Sequence, residues 1–374
     1  MSNLKYQLSN FFKHKCAVWE VTLKCNSKCI HCGSSAGKTR SDELNTEEAL
    51  KLVKDLKLCG YDGIALMGGE PFLRHDWYDI AKEIKKQKMK LTIVSNGLEI
   101  KNQIPKLKKL QSDCVSLSLD GGNPKTHDYI RGIKGAYDRV WTSLKLLQKE
   151  DIPVSVITTI SKINIQELNM IRDLLLNKRI AWQIQIALPI GRFPRDLVIS
   201  RKQFYGVAMF IAVNLKKYST RELPIMGAHC FGYFSTILPE LGLEPWFGCQ
   251  AGKSVLGIQS NGNIKGCLIL SDDFIEGNVR TADLFDIINS GSNLKCNQYY
   301  HRIDSQDYCY TCRMFKKCKA GCLGTKLALS YSDDPYCLRA IEKELFKNES
   351  LPFRWKIGSK ISNYKHLYQK VLLK

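Results

Sequence analysis

The feature that most constrains the fold is a regular alternation of two sequence patterns between residues 16 and 191. Short segments rich in β-branched and apolar residues are typical of strands, and the segments between them repeat apolar residues with a helical period. The strand-like segments are CAVWEVTL, DGIALMGGEP, MKLTIVSNG, CVSLSLDGG, PVSVITTI and WQIQIALPIG. Because strands that alternate with helices form a parallel sheet with crossover connections, the sequence predicts an α/β fold, either open or closed into a partial barrel.

Small and polar residues follow the C-terminal ends of these strands. This is the edge of a βα fold at which active sites are built. The residues are Cys25, Cys29 and Cys32 after the first strand, Gly68, Gly69 and Glu70 after the second, Ser95, Asn96 and Gly97 after the third, and Ser118 and Asp120 at the end of the fourth. The sequence therefore predicts a functional site at this edge.

Cysteine is frequent, with 15 in the chain. The start, MSNLKYQLSNFFKHKC, has neither an apolar core segment nor a cleavage site of small residues, so we expect no signal peptide and a cytoplasmic protein. Clustered cysteines in a reducing compartment indicate metal or redox chemistry rather than disulfides. They form an N-terminal group in LKCNSKCIHCGSS and a C-terminal group from Cys249 to Cys337.

The N-terminal group has three thiols, one fewer than a closed four-sulfur metal site requires. Structural zinc takes four protein ligands. His31 is the nearest fourth candidate, but it lies between Cys29 and Cys32 on a loop too tight to wrap the same ion easily. Zinc, incidental thiols and an iron–sulfur site with one open position are the alternatives.

The spacing Cys25-x3-Cys29-x2-Cys32, followed by GGEP after the next strand, resembles the radical S-adenosylmethionine (SAM) superfamily over about residues 16–190. The resemblance implies a partial (β/α)6 TIM-like barrel in which the three thiolates bind three irons of a 4Fe–4S cluster. The fourth iron would be left for the amino and carboxylate groups of SAM. In this family the reduced cluster cleaves SAM to methionine and a 5′-deoxyadenosyl radical, which removes hydrogen from an unactivated carbon.

The same resemblance implies SAM contacts by position. In the GGE motif, the two glycines would let the backbone approach the methionine end of SAM, and Glu70 would take its amino group. His31 stands where the family usually has an aromatic residue near the adenine. Ser118 matches a ribose or carboxylate contact, with a serine inside the barrel as the alternative. Arg131 matches an arginine that reaches the SAM carboxylate, with a surface salt bridge as the alternative.

The C-terminal group resembles a SPASM domain, an extension of certain radical SAM enzymes that holds two auxiliary 4Fe–4S clusters. The motif GNIKGC ends at Cys267, and CYTCRMFKKCKAGC precedes the last cysteine of the group. The resemblance implies an outer cluster bound by Cys309, Cys312, Cys318 and Cys337, and an inner cluster bound by Cys249, Cys267 and Cys322. A zinc ribbon is the alternative for cysteine pairs of this kind.

The motif does not fix the fourth ligand of the inner cluster. Cys230, in GAHCFGYFS, is one candidate, and an iron without a protein ligand is the other. Cysteine in apolar patterns acts as a small hydrophobe. No functional role is assigned to the remaining four: Cys16, Cys59, Cys114 and Cys296.

The implied cofactors are SAM and three 4Fe–4S clusters. Auxiliary clusters suit a reaction in which a substrate radical loses an electron, such as formation of a thioether or a C–C crosslink. SPASM enzymes mostly modify peptides or proteins, so the first hypothesis is a maturase of a ribosomally made peptide. Modification of a folded protein, of the anaerobic sulfatase-maturase type, is the second; Leu268 disfavours it, because sulfatase maturases usually carry Asp after this cysteine. The third is a non-catalytic electron carrier, which would need neither the GGE motif nor Arg131.

Partners and domains complete the prediction. Only 24 residues precede Cys25, too few for the winged-helix leader-binding domain of many peptide maturases. We expect a separate leader-binding protein, or recognition by the basic surface and tail, and a flavodoxin- or ferredoxin-type electron donor.

The net charge of +20 favours a solvated basic surface, and the sequence carries no nucleic-acid motif and no apolar run long enough for a membrane span. The predicted segments are an N-terminal extension at 1–15, a radical SAM barrel at 16–225, a SPASM domain at 226–345 and a basic tail at 346–374.

Overall fold

The structure is a computed structural model that describes residues 15–228, 231, 235, 237–238, 241, 248–289, 294–298 and 307–345. Three predicted features lie outside these residues: the N-terminal extension apart from Lys15, the basic tail at 346–374, and Cys230.

The strands of the described residues belong to one sheet. They are β1 Cys16–Thr22, β2 Gly63–Gly68, β3 Lys90–Ser95, β4 Cys114–Ser118, β5 Val154–Ile160, β6 Ala181–Ile186, β7 Ile225–Gly227, β8 Val255–Ile258, β9 Asn263–Lys265 and β10 Ile275–Asn278. Their order in the sheet is β10-β9-β8-β1-β2-β3-β4-β5-β6-β7. Strands β1 to β7 pair in parallel with their sequence neighbours, β8 pairs in parallel with β1, and β9 and β10 continue antiparallel.

Helices follow most of the parallel strands. They are α1 Thr46–Leu58, α2 Trp77–Lys86, α3 Ile100–Leu110, α4 Pro124–Arg131, α5 Ala136–Lys149, α6 Leu168–Leu175 and α7 Arg201–Lys217. Beyond the barrel strands lie α8 Leu284–Asn289, α9 Lys295–Gln298, α10 Phe315–Cys318, α11 Leu323–Leu329 and α12 Leu338–Leu345.

The core lies between the sheet and its helices. Trp19, Ile64, Leu91 and Trp182 have no exposed surface and belong to one continuous apolar cluster. Burying an apolar side chain of this size stabilises the fold by about 1.5 to 3 kcal/mol relative to leaving it exposed. The apolar residues that marked these strands in the sequence are therefore core residues.

Local sequence fixes where the elements begin. Before α1, the Asn45 side chain accepts the N–H of Glu48 and the Glu48 carboxylate accepts the N–H of Asn45, a reciprocal cap. Such a cap contributes about 1 kcal/mol to helix stability. It ends the loop that leads from the first cysteine group into α1.

The predicted α/β fold is confirmed, and all six predicted strands are present as β1 to β6. The sequence did not predict β7 to β10, which have only three or four residues each. Strand β7 spans the predicted boundary at 225/226, and β8 extends the sheet from β1. One sheet is thus continuous between the predicted barrel and the cysteine-rich C-terminal region. Among the described residues, none of the helices is both long and apolar enough to cross a membrane.

Candidate functional site

The cysteine loop leaves the C-terminal end of β1. The Cys25 N–H donates to Gly37 O at 3.0 Å, and the Gly37 N–H donates back to Leu23 O at 2.9 Å, which closes the loop. The sulfur of Cys25 accepts the Ser27 N–H at 3.4 Å, and the sulfur of Cys32 accepts the Ala36 N–H at 3.4 Å. Backbone N–H groups aimed at sulfur favour the thiolate, the form that binds iron.

The GGE motif packs directly against this loop. The Gly69 N–H donates to Thr22 O and the Glu70 N–H to Lys24 O, both at 2.8 Å. A Cβ at Gly68 would lie 2.3 Å from Thr22 O, and a Cβ at Gly69 would lie 2.2 Å from Lys24 O. The two glycines are therefore required where β2 meets the start of the cysteine loop.

The Glu70 side chain is completely buried. Its carboxylate accepts hydrogen bonds from Ser95 Oγ at 2.9 Å, the Asn96 N–H at 2.8 Å and the Phe72 N–H at 3.3 Å. Burial raises the pKa of Glu70 to about 7, and the hydrogen bonds from Asn96 and Ser95 oppose that rise. The carboxylate thus joins the loops after β2 and β3, and its predicted contact with the SAM amino group stays a prediction.

Asn96 braces the cysteine loop from the end of β3. Its Nδ2 donates to Asn26 Oδ1 at 2.8 Å and to Ser27 Oγ at 3.1 Å, and it lies 4.0 Å from Cys25 Sγ. One side-chain amide therefore fixes the residues that directly follow the first thiol.

Arg192 holds the loop from the end of β6. Its Nε donates to Cys29 O at 3.1 Å, its Nη1 to Ala36 O at 2.7 Å, and its backbone N–H to Cys32 O at 3.1 Å. Gly191, with φ +63°, passes so close that a Cβ would lie 2.3 Å from Cys32 O. A cavity of about 480 Å³ adjoins Cys25 and is lined in part by Arg192.

A buried charge cluster lies next to the thiols. His31 Nε2 and Arg131 Nη1 both contact Asp120 Oδ2, at 2.9 Å and 3.1 Å. Asp120 is fully buried, and its Oδ1 accepts the Thr159 N–H at 2.8 Å. Burial alone would raise the pKa of Asp120, but His31, Arg131 and His127 hold it below its usual range.

Arg131 also carries positive charge towards the cysteines. Burial raises the pKa of the Cys29 thiol, and the Arg131 guanidinium opposes that rise. The surface salt bridge considered for Arg131 is wrong, because the residue is only 8% exposed and pairs with the buried Asp120. Its predicted contact with the SAM carboxylate stays a prediction.

Ser118 lies on β4 in register with Ile157 of β5, which is in register with Gln183 of β6. Residues in register on parallel strands point to the same face of the sheet. Two residues further along the same strands, Thr159 of β5 pairs with Gln185 of β6, and Gln185 Nε2 donates to Thr159 Oγ1 at 2.9 Å. All five residues are partly exposed, so this face of the sheet carries accessible polar groups.

The outer set of C-terminal thiols comes together around one small cavity. Cys309, Cys312, Cys318 and Cys337 all line it, and Tyr308 and Arg339 lie beside them. Burial raises the pKa of Cys337 to about 12, and the neighbouring thiols of Cys318 and Cys312 add to the rise. Four thiols around one cavity are the donor set of a 4Fe–4S cluster, and these residues fit that group.

The inner set is also brought together. The Gly252 N–H donates to Gly266 O at 3.2 Å, which joins the loop that carries Cys249 to the loop that carries Cys267. Burial raises the pKa of Cys267 to about 11, and Cys249 contributes. Burial also raises the pKa of Cys322, with Cys249 next in effect.

The described residues contain no group of three or more His, Cys, Asp or Glu side chains gathered around a single ion. In a 4Fe–4S cluster each thiolate binds a different iron, so the ligands surround a cluster rather than a point. The three thiols of the first loop, with N–H donors to sulfur and a buried arginine beside them, fit such a cluster.

Sequence reasoning gave no role to Asn96, Asp120 or Arg192. Asn96 and Asp120 were predicted to lie at the C-terminal ends of strands, but the sequence did not indicate what their side chains contact. The contact between Arg192 and Cys29 joins residues 163 positions apart, and periodicity cannot reveal a contact of that kind.

Comparison with known proteins agrees with this geometry. Residues 19–175 match the model of the Radical SAM superfamily. AdoMet-dependent heme synthase of Methanosarcina barkeri (strain Fusaro / DSM 804) is 26% identical over 336 residues, which are 86% of this chain and 95% of that protein. Mycofactocin maturase MftC of Mycolicibacterium smegmatis is 26% identical over 348 residues, which are 89% of this chain and 86% of the relative. The crystal structure of Streptococcus suis SuiB bound to S-adenosylmethionine has a TM-score of 0.70 at 19% identity, covering 89% of this chain and 80% of SuiB.

Residues 19–175 therefore form a radical SAM domain on an α/β partial barrel. With this domain the chain is an enzyme, so the hypothesis of a non-catalytic electron carrier is excluded. The predicted resemblance is confirmed, and the two relatives are matched over 86% and 89% of this chain.

Proposed function

We propose that this enzyme uses SAM and a 4Fe–4S cluster at Cys25, Cys29 and Cys32 to oxidise a ribosomally made peptide, with two auxiliary clusters in its C-terminal region. The observation that carries the proposal is the cysteine loop itself. Three thiols share one closed loop at the C-terminal strand ends, beside the buried Arg131.

The bound cofactors would supply one step, the reductive cleavage of SAM to methionine and a 5′-deoxyadenosyl radical. The chain's own residues position that step. Asn96 and Arg192 hold the loop on both sides of Cys29, and the Gly191 turn covers it. A loop fixed at several points keeps the reacting atoms in register.

The C-terminal thiols support the auxiliary clusters. Cys309, Cys312, Cys318 and Cys337 surround one cavity, and Cys249 lies near both Cys267 and Cys322. These are the two ligand sets that the SPASM resemblance implied. Clusters of this kind would accept an electron from a substrate radical, as formation of a thioether or a C–C crosslink requires.

Two relatives support a peptide substrate. MftC is named a mycofactocin maturase, and SuiB was also solved with the precursor peptide SuiA. We extend this to the substrate of the present enzyme, together with a separate leader-binding protein and a flavodoxin- or ferredoxin-type electron donor.

The first test is cleavage of SAM by anaerobically reconstituted, dithionite-reduced protein. We expect 5′-deoxyadenosine from the wild type and none above background from Cys29→Ala, because that thiol belongs to the SAM-binding cluster. Cys59→Ala is the matched control: Cys59 follows α1 and packs against the core away from the loop. Near-wild-type 5′-deoxyadenosine from Cys29→Ala would show that the radical SAM site is assigned wrongly.

A second candidate is a step in heme formation, because the heme synthase relative is matched over 95% of its own length. Parallel incubations with SAM distinguish the two candidate functions. One contains an iron porphyrin precursor of heme, and the other contains candidate precursor peptides. A SAM-dependent mass change in a peptide supports the first proposal, and conversion of the porphyrin replaces it with the second.

A further inference from the structure

One buried cysteine that the sequence left without a role lies beside the inner set of thiols. Cys296 sits in the short helix α9 and has no exposed surface. It belongs to a small apolar cluster with Ala251, Leu270, Leu294 and Leu323, and Cys249 and Cys267 pack against that cluster. Cys296 therefore shares its surroundings with two of the three thiols assigned to the inner site.

Its sulfur points at the loops that carry those two thiols. A Cβ placed on Gly266, the residue before Cys267, would lie 2.4 Å from Cys296 Sγ. A Cβ placed on Gly252, in the loop after Cys249, would lie 3.0 Å from the same sulfur. Cys296 Sγ also lies 3.7 Å from Ala251 O. Only glycine leaves room for this thiol at both loops.

The third thiol, Cys322, approaches the same place from α11. Leu323 is buried in the same small cluster, and a Cβ on Gly324 would lie 2.4 Å from the Ile269 side chain. The start of α11 therefore packs on the loop after Cys267. Four separate segments, each with one cysteine, converge here.

We propose that Cys296 is the fourth thiolate ligand of the inner auxiliary cluster and completes the set of Cys249, Cys267 and Cys322. The inference rests on the proposed function, which supplies the cluster. It replaces the two alternatives that the sequence left open, Cys230 and an iron without a protein ligand. A closed set of four thiolates makes this cluster an electron-transfer site rather than a second binding site for substrate or SAM.

The competing explanation is that Cys296 is a packing residue, because buried cysteine commonly acts as a small hydrophobe. Cys16 is the matched control for that role. It is 2% exposed, lies in β1, and its sulfur lies 3.6 Å from Ala17 O. Replacing Cys16 removes a buried thiol that does not belong to the small apolar cluster around Cys296.

The experiment uses the Cys29→Ala protein, which lacks the SAM-binding cluster and should retain about eight irons in the auxiliary clusters. Three further proteins add Cys296→Ala, Cys296→Ser or Cys16→Ala to that background. Each is reconstituted anaerobically and checked for folding by circular dichroism. Iron is then counted before and after mild ferricyanide oxidation, and the reduced EPR spectrum is recorded with and without cyanide, a ligand for any iron that lacks a thiolate.

We expect Cys29→Ala alone, and with Cys16→Ala, to keep about eight irons and to show no response to cyanide. With Cys296→Ala, one auxiliary cluster should be lost, which leaves about four irons, or should release about one iron on oxidation or change its spectrum with cyanide. Cys296→Ser, which preserves shape, should alter the spectrum of one cluster.

Identical behaviour of the Cys296 and Cys16 variants would overturn the assignment. So would a response to cyanide from Cys29→Ala alone, a measurement that needs no change at Cys296. Absence of iron from Cys29→Ala is a different result, because it would remove the auxiliary clusters, and with them the proposed function, before the ligand is tested.

Discussion

Asp120 shows how much of the site depends on one side chain. Its carboxylate contacts His31 from the cysteine loop, Arg131 from α4 and the Thr159 N–H from β5. His31 is therefore oriented by Asp120 and is less free to face an adenine ring than an aromatic residue at its position would be. The carboxylate also neutralises part of the positive charge that Arg131 brings to the cysteines.

Asp120→Asn should destabilise the protein and weaken SAM cleavage. It keeps the shape of the side chain but removes the negative charge that compensates the buried Arg131. Breaking a buried ion pair in this way costs about 3 kcal/mol. The free energy of unfolding of the metal-free protein, measured in urea, gives the loss directly.

The control for this change is Asp55→Asn, which breaks an exposed pair with Lys51 on α1. A surface pair of this kind contributes at most about 1 kcal/mol. Equal losses in the two variants would mean that the buried cluster around Asp120 makes no special contribution.

The buried ring of His127 should make the free energy of unfolding depend on pH. Its Nδ1 accepts the Asp120 N–H at 3.1 Å, the ring is fully buried, and Nε2 has no partner among the described residues. Burial lowers the pKa of His127 from 6.5 to about 4, although Asp120 opposes the shift. Between these values His127 binds more protons in the unfolded chain than in the folded one, so its own contribution to stability falls as pH falls from 6.5 to 4. Glu70, whose pKa is raised from 4.5 to about 7, contributes with the opposite sign above pH 4.5, so the effect of His127 is obtained from the difference between two proteins.

Urea unfolding of the metal-free protein at several pH values measures this slope. His127→Gln keeps an acceptor and removes the titrating ring, so the wild type should lose stability relative to this variant as pH falls from 6.5 to 4. Parallel curves for the two proteins would assign the pH dependence to other groups.

At the scale of whole elements, the loop after β6 presses on the cysteine loop. Gly191→Ala would place a Cβ 2.3 Å from Cys32 O and 2.4 Å from Gly33 O. Gly60→Ala is the matched control, because Gly60 also has a positive φ, +79°, but no atom lies within 4 Å of its added Cβ. Both variants carry backbone strain of about 1 to 2 kcal/mol, and only Gly191→Ala also displaces the thiols.

We expect Gly191→Ala to slow the formation of 5′-deoxyadenosine by about 10- to 100-fold, since small misplacements of reacting groups have effects of this size. Gly60→Ala should reduce stability without that loss of rate. The measurement is the initial rate under dithionite, divided by the iron content of each preparation. Equal rates per iron in the two variants would contradict the role given to this contact.

Elements differ in how far the sequence could predict them. Strands β1 to β6 have five to seven residues and strong apolar patterns, and all six were predicted. Strands β7 to β10 are too short for a pattern to stand out, and their pairing depends on partners far away, as with Cys16 and Val255. The cysteine spacing showed which thiols to group, whereas the position of Cys296 depends on the three-dimensional packing of two glycine loops.

At the scale of the molecule, the barrel and the C-terminal region are connected through buried contacts. β8 pairs with β1, and Arg40 links Glu20 to Ser260 by contacts of 3.0 and 3.1 Å. On the other side, Tyr336 Oη donates to Ile199 O at 2.7 Å. A rigid connection keeps the distance between the thiol sets constant, as electron transfer between them would require.

Cys312→Ala tests whether the barrel cleaves SAM independently of the C-terminal region, which would take the electron from the substrate radical. Cys312 lies in the outer set, in a region that is separate in sequence from the cysteine loop. Losing one of four thiolates should release the outer cluster, so that iron falls from about twelve to about eight per chain. The loop at Cys25, Cys29 and Cys32 is untouched, so 5′-deoxyadenosine should still form, whereas modified peptide should not, because the substrate radical could not pass on its electron.

Cluster binding contributes to the folding energy of such a region, so some loss of thermal stability is also expected. Cys114→Ala is the control: its thiol contacts Ser155 Oγ at 3.5 Å at the far end of β4 and should not affect iron content. Iron, 5′-deoxyadenosine and peptide mass are measured on the same preparations. If folded Cys312→Ala gave full product, the outer cluster would have no part in the oxidation; if it lost all its iron, the three sites would not be independent.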